Sequence, residues 1–250
     1  MNNFWMNTII HRLKSGNQTQ LFCFPYLGGY ANSFLNLAKN IHKDIEVWSM
    51  NAPGHGGSNA APITDISSLV DLYFYAMRIV LNENGSYYLF GHSMGAIVAY
   101  FLFQKITNLA FNVKPPNAII LSACNSPSYF LNKRYSLMSD GELMHQLISY
   151  GALSQTIMHE KSLLEYFLPV YRADFMILES AAESDFKPLD IPVYYLLGDK
   201  DKIVTIDETM NWSKYFLQKI NFITIKNGEH LFVNTKPRSV ANMLEYIIQI

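Results

Sequence analysis

The sequence is short of cysteine, short of charge and free of long apolar runs, and each shortage removes a class of answer. Its 250 residues hold two cysteines, Cys23 and Cys124, each inside an apolar, strand-like segment. They read as buried free thiols in a reducing compartment, which sets aside a disulfide-stapled secreted domain and points to the cytoplasm. No Cys/His cluster has metal-ligand spacing, so neither a metal nor another cofactor is expected. Only 16% of the residues are charged and the formal net charge is −1, a balance that offers no footprint for nucleic acid or an anionic membrane. No apolar run approaches the length of a bilayer span. The opening Met1-Asn2-Asn3-Phe4-Trp5-Met6 has no basic stretch followed by a long apolar one, so no secretory signal is expected. Internal repeats, low-complexity tracts and polar linkers are also missing.

What is present is core-forming material. Half of the residues are hydrophobic and 14% are aromatic, enough for one sizeable α/β core. Short apolar runs read as strands at Leu21–Phe24, Ile45–Met50, Tyr87–Phe90, Ala118–Ala123, Val193–Leu197 and Phe222–Ile225, with a weaker edge strand over Ile9–Leu13. Helical patterns fall between them. A helix is expected over about Ser33–Asn40. Ile66, Leu69, Val70, Tyr73, Met77, Val80 and Leu81 line one face of another, started near Thr64 or Asp65. Ala96–Phe103 reads as a helix buried nearly all round. Two more are expected over Asp207–Leu217 and Arg238–Gln249. Strands alternating with helices predict a mostly parallel sheet covered on both faces.

The alternation stops between about Asn125 and Ser184, where no strand is expected. Ser139 and Glu142 fit a capping box, Ser162–Leu168 reads as a short helix before Pro169, and Phe175–Ala182 as a third. An all-helical insertion between two strands is expected to cap the strand ends. The expected organisation is therefore a core of residues 1–124 and 185–250 with a helical lid, 125–184, inserted in it.

The chemistry centres on Gly91-His92-Ser93-Met94-Gly95. A strand precedes this G-x-S-x-G pattern and a helix follows, the context in which the serine sits on a sharp turn above the sheet. A bare Gly-Ser turn capping a helix is the plain alternative. A serine hydroxyl needs a base in reach and an acid to orient that base, and both are sought just after late strands, at the carboxyl edge of the sheet. Gly198-Asp199-Lys200-Asp201 and Gly228-Glu229-His230 occupy such places, in the order Ser, Asp, His. Of the seven histidines, only His230 has that position. His42, His145 and His159 read as exposed and helical, His11 as edge-strand, and His92 as packing. His55 sits in the Gly/Pro-rich loop Asn51–Ser58 as a secondary candidate for lining the site. Asp199 also reads as a turn former and Asp201 as a cap of the next turn; Asp201 is preferred as the acid, partly on a family resemblance. The N–H of Met94 and that of Leu27, with Tyr26 as its alternative, are the expected oxyanion donors. Tyr26, Gly28 and Gly29 are expected beside the substrate.

Several blocks together resemble the type II thioesterases, stand-alone editing enzymes of nonribosomal peptide and polyketide synthesis with an α/β-hydrolase fold. They are Leu21–Gly29, Ala52-Pro53-Gly54-His55-Gly56, Gly91–Gly95, Leu168–Phe175, Gly198–Asp201 and Gly228–Phe232. Leu27 replaces a commoner alanine, and Glu229 a commoner glycine. The Leu168–Phe175 block, L-P-x-x-R-A-D-F, is the most telling, because generic α/β-hydrolases lack it. The resemblance implies a Ser93, Asp201, His230 triad. It also implies a monomer acting on small acyl thioesters and on acyl groups carried by the phosphopantetheine arm of an acyl or peptidyl carrier protein. Competing expectations are a small-ester hydrolase, an acyltransferase, and a catalytically silent carrier-protein binder.

Overall fold

The computed structural model describes residues 8–108, 113–152 and 161–249. Seven strands form one sheet: β1 (Ile10–Lys14), β2 (Thr19–Phe24), β3 (Ile45–Met50), β4 (Ser86–His92), β5 (Ala118–Ser122), β6 (Val193–Gly198) and β7 (Asn221–Ile225). Their spatial order is β1-β3-β2-β4-β5-β6-β7. The weak expectation at Ile9–Leu13 is β1, which pairs antiparallel with β3; every other pairing is parallel. Parallel strands deliver all their carboxyl ends to one edge of the sheet, which is why residues far apart in sequence meet there.

Side-chain alternation along the strands divides the interior into two cores. Phe22, Phe24, Leu89, Ile119 and Leu121 face one side, packing with α2 (Ile66–Val80) and α3 (Met94–Asn108). Leu21, Cys23, Phe90 and Ile120 face the other, with α1 (Leu35–Asn40) and the C-terminal helix. Asp65 caps α2 by accepting the N–H of Ser68 at 2.8 Å, as the start signal predicts. The residues from Met94 to Phe103 are all buried, as expected of a helix wedged between sheet and insertion.

Between β5 and β6 the described residues hold no strand. Two short 3-10 turns, Pro127–Phe130 and Tyr135–Leu137, lead to α4 (Asp140–Ser149) and α5 (Lys161–Glu183). The capping box is present: Ser139 and Glu142 bond each other's backbone at the start of α4. The two helices expected either side of Pro169 are instead one, α5, with the proline inside it. Proline deletes one intrahelical bond, and Pro169 itself lies on the exposed side of the helix. Meanwhile Leu168, Val170, Tyr171, Ala173, Phe175, Ile177 and Leu178 hold both halves of the helix against the interior. Arg172 ties the insertion together, donating to the carbonyls of Ser136 (2.5 Å) and Met138 (2.8 Å) and pairing with Asp140 at 2.6 Å.

After β6 the helix expected over Asp207–Leu217 is a single α turn, α6 (Ile206–Thr209), running into a 3-10 stretch, Met210–Tyr215. Trp212, fully buried, sets that geometry: its indole N–H donates to the carbonyl of Cys124 at 2.8 Å. Burying so large a ring with its donor satisfied outweighs helix propensity. A short α7 (Phe232–Thr235) and the amphipathic α8 (Pro237–Gln249) close the chain, with Val240, Ala241, Leu244 and Ile247 buried.

Candidate active site

The turn from β4 into α3 is tight in a measurable way. Ser93 has φ 52°, a left-handed backbone that costs a non-glycine residue about 1–3 kcal/mol. Two contacts hold it there: Ser93 N–H donates to the carbonyl of Ser122 on β5 at 2.7 Å, and the Ser93 carbonyl accepts the N–H of Ala96 at 2.8 Å. The two flanking glycines are sterically required, since a Cβ at Gly91 would collide with the carbonyl of Gly95 and one at Gly95 with the carbonyl of Phe24.

Three side chains named from the sequence converge on this turn. Ser93 Oγ lies 3.1 Å from His230 Nε2, and His230 Nδ1 lies 2.9 Å from Asp201 Oδ2. The carboxylate can only accept, so His230 carries its proton on Nδ1 and presents the Nε2 lone pair to the serine hydroxyl. Asp201 is itself fixed: its side chain is fully buried, and Oδ1 accepts the N–H groups of Ile203 (2.8 Å) and Val204 (3.1 Å). Its two sequence readings, capping the next turn and holding the histidine, are thus met by its two oxygens. Asp199 is exposed, and it is Asp201, not Asp199, that pairs with His230.

The serine opens into a cleft lined mainly by apolar side chains, among them Tyr129, Phe130, Tyr150, Phe175 and Leu178 from the helical insertion. Tyr26, Leu27 and Met94 line it as well. Among the described residues no acceptor takes the N–H of Leu27 or of Met94. Gly28 is different: its N–H donates to Asp174 Oδ2 at 2.7 Å, which leaves the N–H groups of Tyr26 and Leu27 without an acceptor in that loop among the described residues. Gly28 and Gly29 serve the turn itself. Gly28 has φ 71° and abuts the Tyr171 ring, while Gly29 N–H donates to the carbonyl of Tyr26 at 2.7 Å. In the cleft wall, Asn125 is 4% exposed and its Oδ1 has no partner among the described residues.

The remaining histidines separate by environment. His11 lies in β1, His42 is exposed in the loop after α1 rather than in a helix, and His145 is exposed on α4. His159 falls outside the described residues. His55 does not line the cleft; it is buried against Asp174. His92 does more than pack. Its Nε2–H donates to the backbone carbonyl of His230 at 2.9 Å, and its Nδ1 accepts from the Ser122 hydroxyl at 2.8 Å. Burial and the neighbouring His230 hold its pKa well below the ordinary imidazole value, so it stays neutral. Sequence reasoning missed this support because it depends on a carbonyl 138 residues away. Cys23 and Cys124 are buried and unpaired, and burial pushes both thiols up, away from reactivity. Among the described residues no group of metal-ligating side chains occurs, and no helix is long and apolar enough to cross a membrane.

Comparison with known proteins identifies the family and the fold. The thioesterase domain model matches residues 19–248. The gramicidin S biosynthesis protein GrsT of Aneurinibacillus migulanus is 26% identical over 237 residues, covering 94% of this chain and 90% of its own. Among solved structures, the type II thioesterase YbtT of the yersiniabactin pathway superposes with a TM-score of 0.84 at 23% identity, covering 94% of this chain and 96% of its own. BorB, a type II thioesterase from the borrelidin cluster, does so at 0.81 and 25%, covering 96% and 97%. With a matching family model over nearly its whole length and an α/β-hydrolase sheet, this chain belongs to the thioesterase family and is a hydrolase of thioesters.

Proposed function

We propose that this chain is a type II thioesterase that removes acyl or aminoacyl groups from the phosphopantetheine arm of carrier proteins, clearing stalled or wrong groups from nonribosomal peptide or polyketide modules. The observation that carries the reading is the unbroken relay from Ser93 to His230 to Asp201, at 3.1 and 2.9 Å, at the floor of an apolar cleft. Relatives whose names place them in such pathways supply the substrate class.

In this reading Ser93 Oγ attacks the thioester carbonyl while His230 Nε2 takes its proton. The carbonyl oxygen becomes an oxyanion between the N–H groups of Leu27 and Met94. The C–S bond then breaks, His230 returns the proton to the leaving sulfur, and the acyl group rests on Ser93. Water, deprotonated by the same imidazole, attacks the ester and releases the acid. Asp201 holds the Nδ1 tautomer throughout and offsets the charge on the imidazolium. Residues 125–184 act as the lid over the acyl chain, Tyr26 flanks the reacting carbonyl, and Gly28 and Gly29 shape the loop beside it. The enzyme works as a cytoplasmic monomer and needs no metal or organic cofactor.

The test compares one acyl group on three carriers: a carrier protein, free pantetheine, and an oxygen alcohol of matched length. The proposal requires kcat/KM to be highest on the carrier protein and to fall on the oxygen ester. Equal values for oxygen ester and acyl carrier protein would make it a general esterase. Transfer of the acyl group to an added acceptor in preference to water would make it an acyltransferase.

A further inference from the structure

The loop that carries the free Leu27 N–H is anchored from the insertion, and the anchor contains a second buried histidine that the triad does not use. Asp174 on α5 reaches 146 residues back to accept the Gly28 N–H at 2.7 Å. The same oxygen, Oδ2, lies 3.1 Å from His55 Nε2. On the other side of that ring, His55 Nδ1 faces the carbonyl of Pro53 at 3.1 Å. The His55 side chain is 3% exposed and that of Asp174 is 0% exposed.

Both nitrogens of His55 therefore face acceptors only, a carboxylate and a backbone carbonyl. A neutral imidazole has one N–H and can satisfy one of them; the imidazolium satisfies both. Asp174 has the matching need, because its Oδ1 has no partner among the described residues, and a buried carboxylate without a compensating cation is costly. Burial works against the charged ring, but the Asp174 charge and hydrogen bond and the Pro53 carbonyl outweigh it, so the His55 pKa stands above the ordinary imidazole value. The other titratable groups around the pair are phenols. Tyr73 on α2 and Tyr171 on α5 are pushed up by burial and by Asp174, and Tyr30 and Tyr166 border the groove outside.

We propose that His55 and Asp174 form a proton-dependent latch that holds the Tyr26–Gly29 loop, and with it the Leu27 donor, in register with Ser93 from the underside of the helical insertion. The inference rests on Leu27 as an oxyanion donor. Gly28 N–H belongs to the peptide unit immediately after Leu27, so fixing its direction fixes the peptide plane on which the Leu27 geometry depends. Gly28 cannot relax sideways, since the Tyr171 ring fills the space a Cβ would take. The latch also couples the insertion to the chemistry: displacing α5 removes Asp174 from Gly28 and loosens the oxyanion donor at the same time. His55 and Asp174 are positioning residues, not catalytic ones.

The pH sign follows from the raised pKa. The paired state is complete below the ordinary histidine value and is lost as pH rises through the higher value that His55 has when folded. Turnover should then fall on the alkaline side, opposite to the rise expected from a base that must be unprotonated.

The experiment measures kcat and KM for acyl-pantetheine hydrolysis across the neutral and alkaline range, with the wild type, His55→Gln and Asp174→Asn. His55→Gln should lose between about tenfold and a hundredfold in kcat, with KM changed less than about threefold, and should lose the alkaline fall. Asp174→Asn keeps an acceptor for Gly28 but no charge, so its alkaline fall should move to lower pH. Wild-type kcat and pH profiles in both variants would overturn the latch. So would a loss confined to Tm, with the folded fraction keeping the wild-type profile. A parallel arm times phosphonylation of Ser93 by an activated alkylphosphonate, whose oxyanion occupies the same donors. If the wild type fails to hydrolyse acyl-pantetheine, the thioesterase assignment falls, yet slower phosphonylation in the two variants still supports the latch and unchanged phosphonylation still refutes it.

Discussion

Asp201→Asn is the sharpest probe of the relay, because the structure dictates which way the new amide must turn. The wild-type carboxylate accepts two backbone N–H groups on Oδ1 and one imidazole N–H on Oδ2. An amide offers one acceptor and one donor end. Turning the oxygen towards Ile203 and Val204 keeps two bonds, whereas turning it towards His230 sets an NH2 against two backbone donors. The first orientation wins by at least one hydrogen bond and one avoided donor–donor contact, each worth on the order of 1 kcal/mol or more. The amide NH2 then faces His230 Nδ1, which must become the acceptor, and the ring proton moves to Nε2. That proton points at Ser93 Oγ, so no base remains for the hydroxyl. Such a tautomer switch in a Ser-His-Asp relay lowers kcat by about ten-thousand-fold, or about 5 kcal/mol of barrier. Release of free thiol from acyl-pantetheine, followed by a colorimetric thiol reagent, gives the rate, and circular dichroism gives Tm. The expected result is that loss of kcat with Tm within a few degrees of wild type. Retention of activity within tenfold, in protein with an unchanged melting curve, would refute the assigned relay.

Three further outcomes follow from the same structure. Ser93→Ala should abolish thiol release while the protein stays folded, since the hydroxyl's removal leaves the backbone contacts of the turn intact; turnover near wild type would remove Ser93 as nucleophile. Gly95→Ala forces a Cβ into the Phe24 carbonyl, and should lower stability by about 1–3 kcal/mol or more as an overpacking strain, read as a drop in Tm and in soluble yield; an unchanged Tm would show that the elbow has slack. Asn125→Leu should lower kcat/KM by about tenfold for acyl groups bearing a hydroxyl or amine near the carbonyl, relative to plain acyl chains, by removing an acceptor worth about 1 kcal/mol or more; equal losses on both kinds of chain would mean the amide is only structural.

The parts of this molecule that were readable beforehand were those governed by local pattern. Runs such as Leu21–Phe24 and Ala118–Ala123 name their strands because period-two burial on both faces demands continuous apolar residues. Gly91–Gly95 names its turn because no other residue fits at either end. His230 was recoverable because parallel strands bring their ends to one edge. The failures were tertiary. Pro169 marked a helix end that packing of Leu168 and Val170 overrode, and Trp212 bent the Asp207–Leu217 segment into a 3-10 path to reach the carbonyl of Cys124. His55 and Asp174 were both inside quoted motifs, but nothing local says that a loop after β3 and a helix after β5 share one carboxylate oxygen.

Two buried histidines flank this site with proton affinities shifted in opposite directions, and their neighbours explain why. His92 has a hydroxyl on one side and a carbonyl on the other. The hydroxyl can donate, so the neutral ring satisfies both contacts, and burial beside His230 keeps it neutral. His55 has two acceptors, one of them a carboxylate, so only the cation satisfies both. The assignment suits the reaction. His92 and His230 have ring centroids 5.9 Å apart, and in the proposed reaction His230 becomes a cation when it takes the serine proton. A second cation at His92 would oppose that charge at close range in a weakly screening interior and raise the barrier. In the proposed latch a cation at His55, paired with Asp174, would instead brace the donor loop and leave the relay without a competing positive charge.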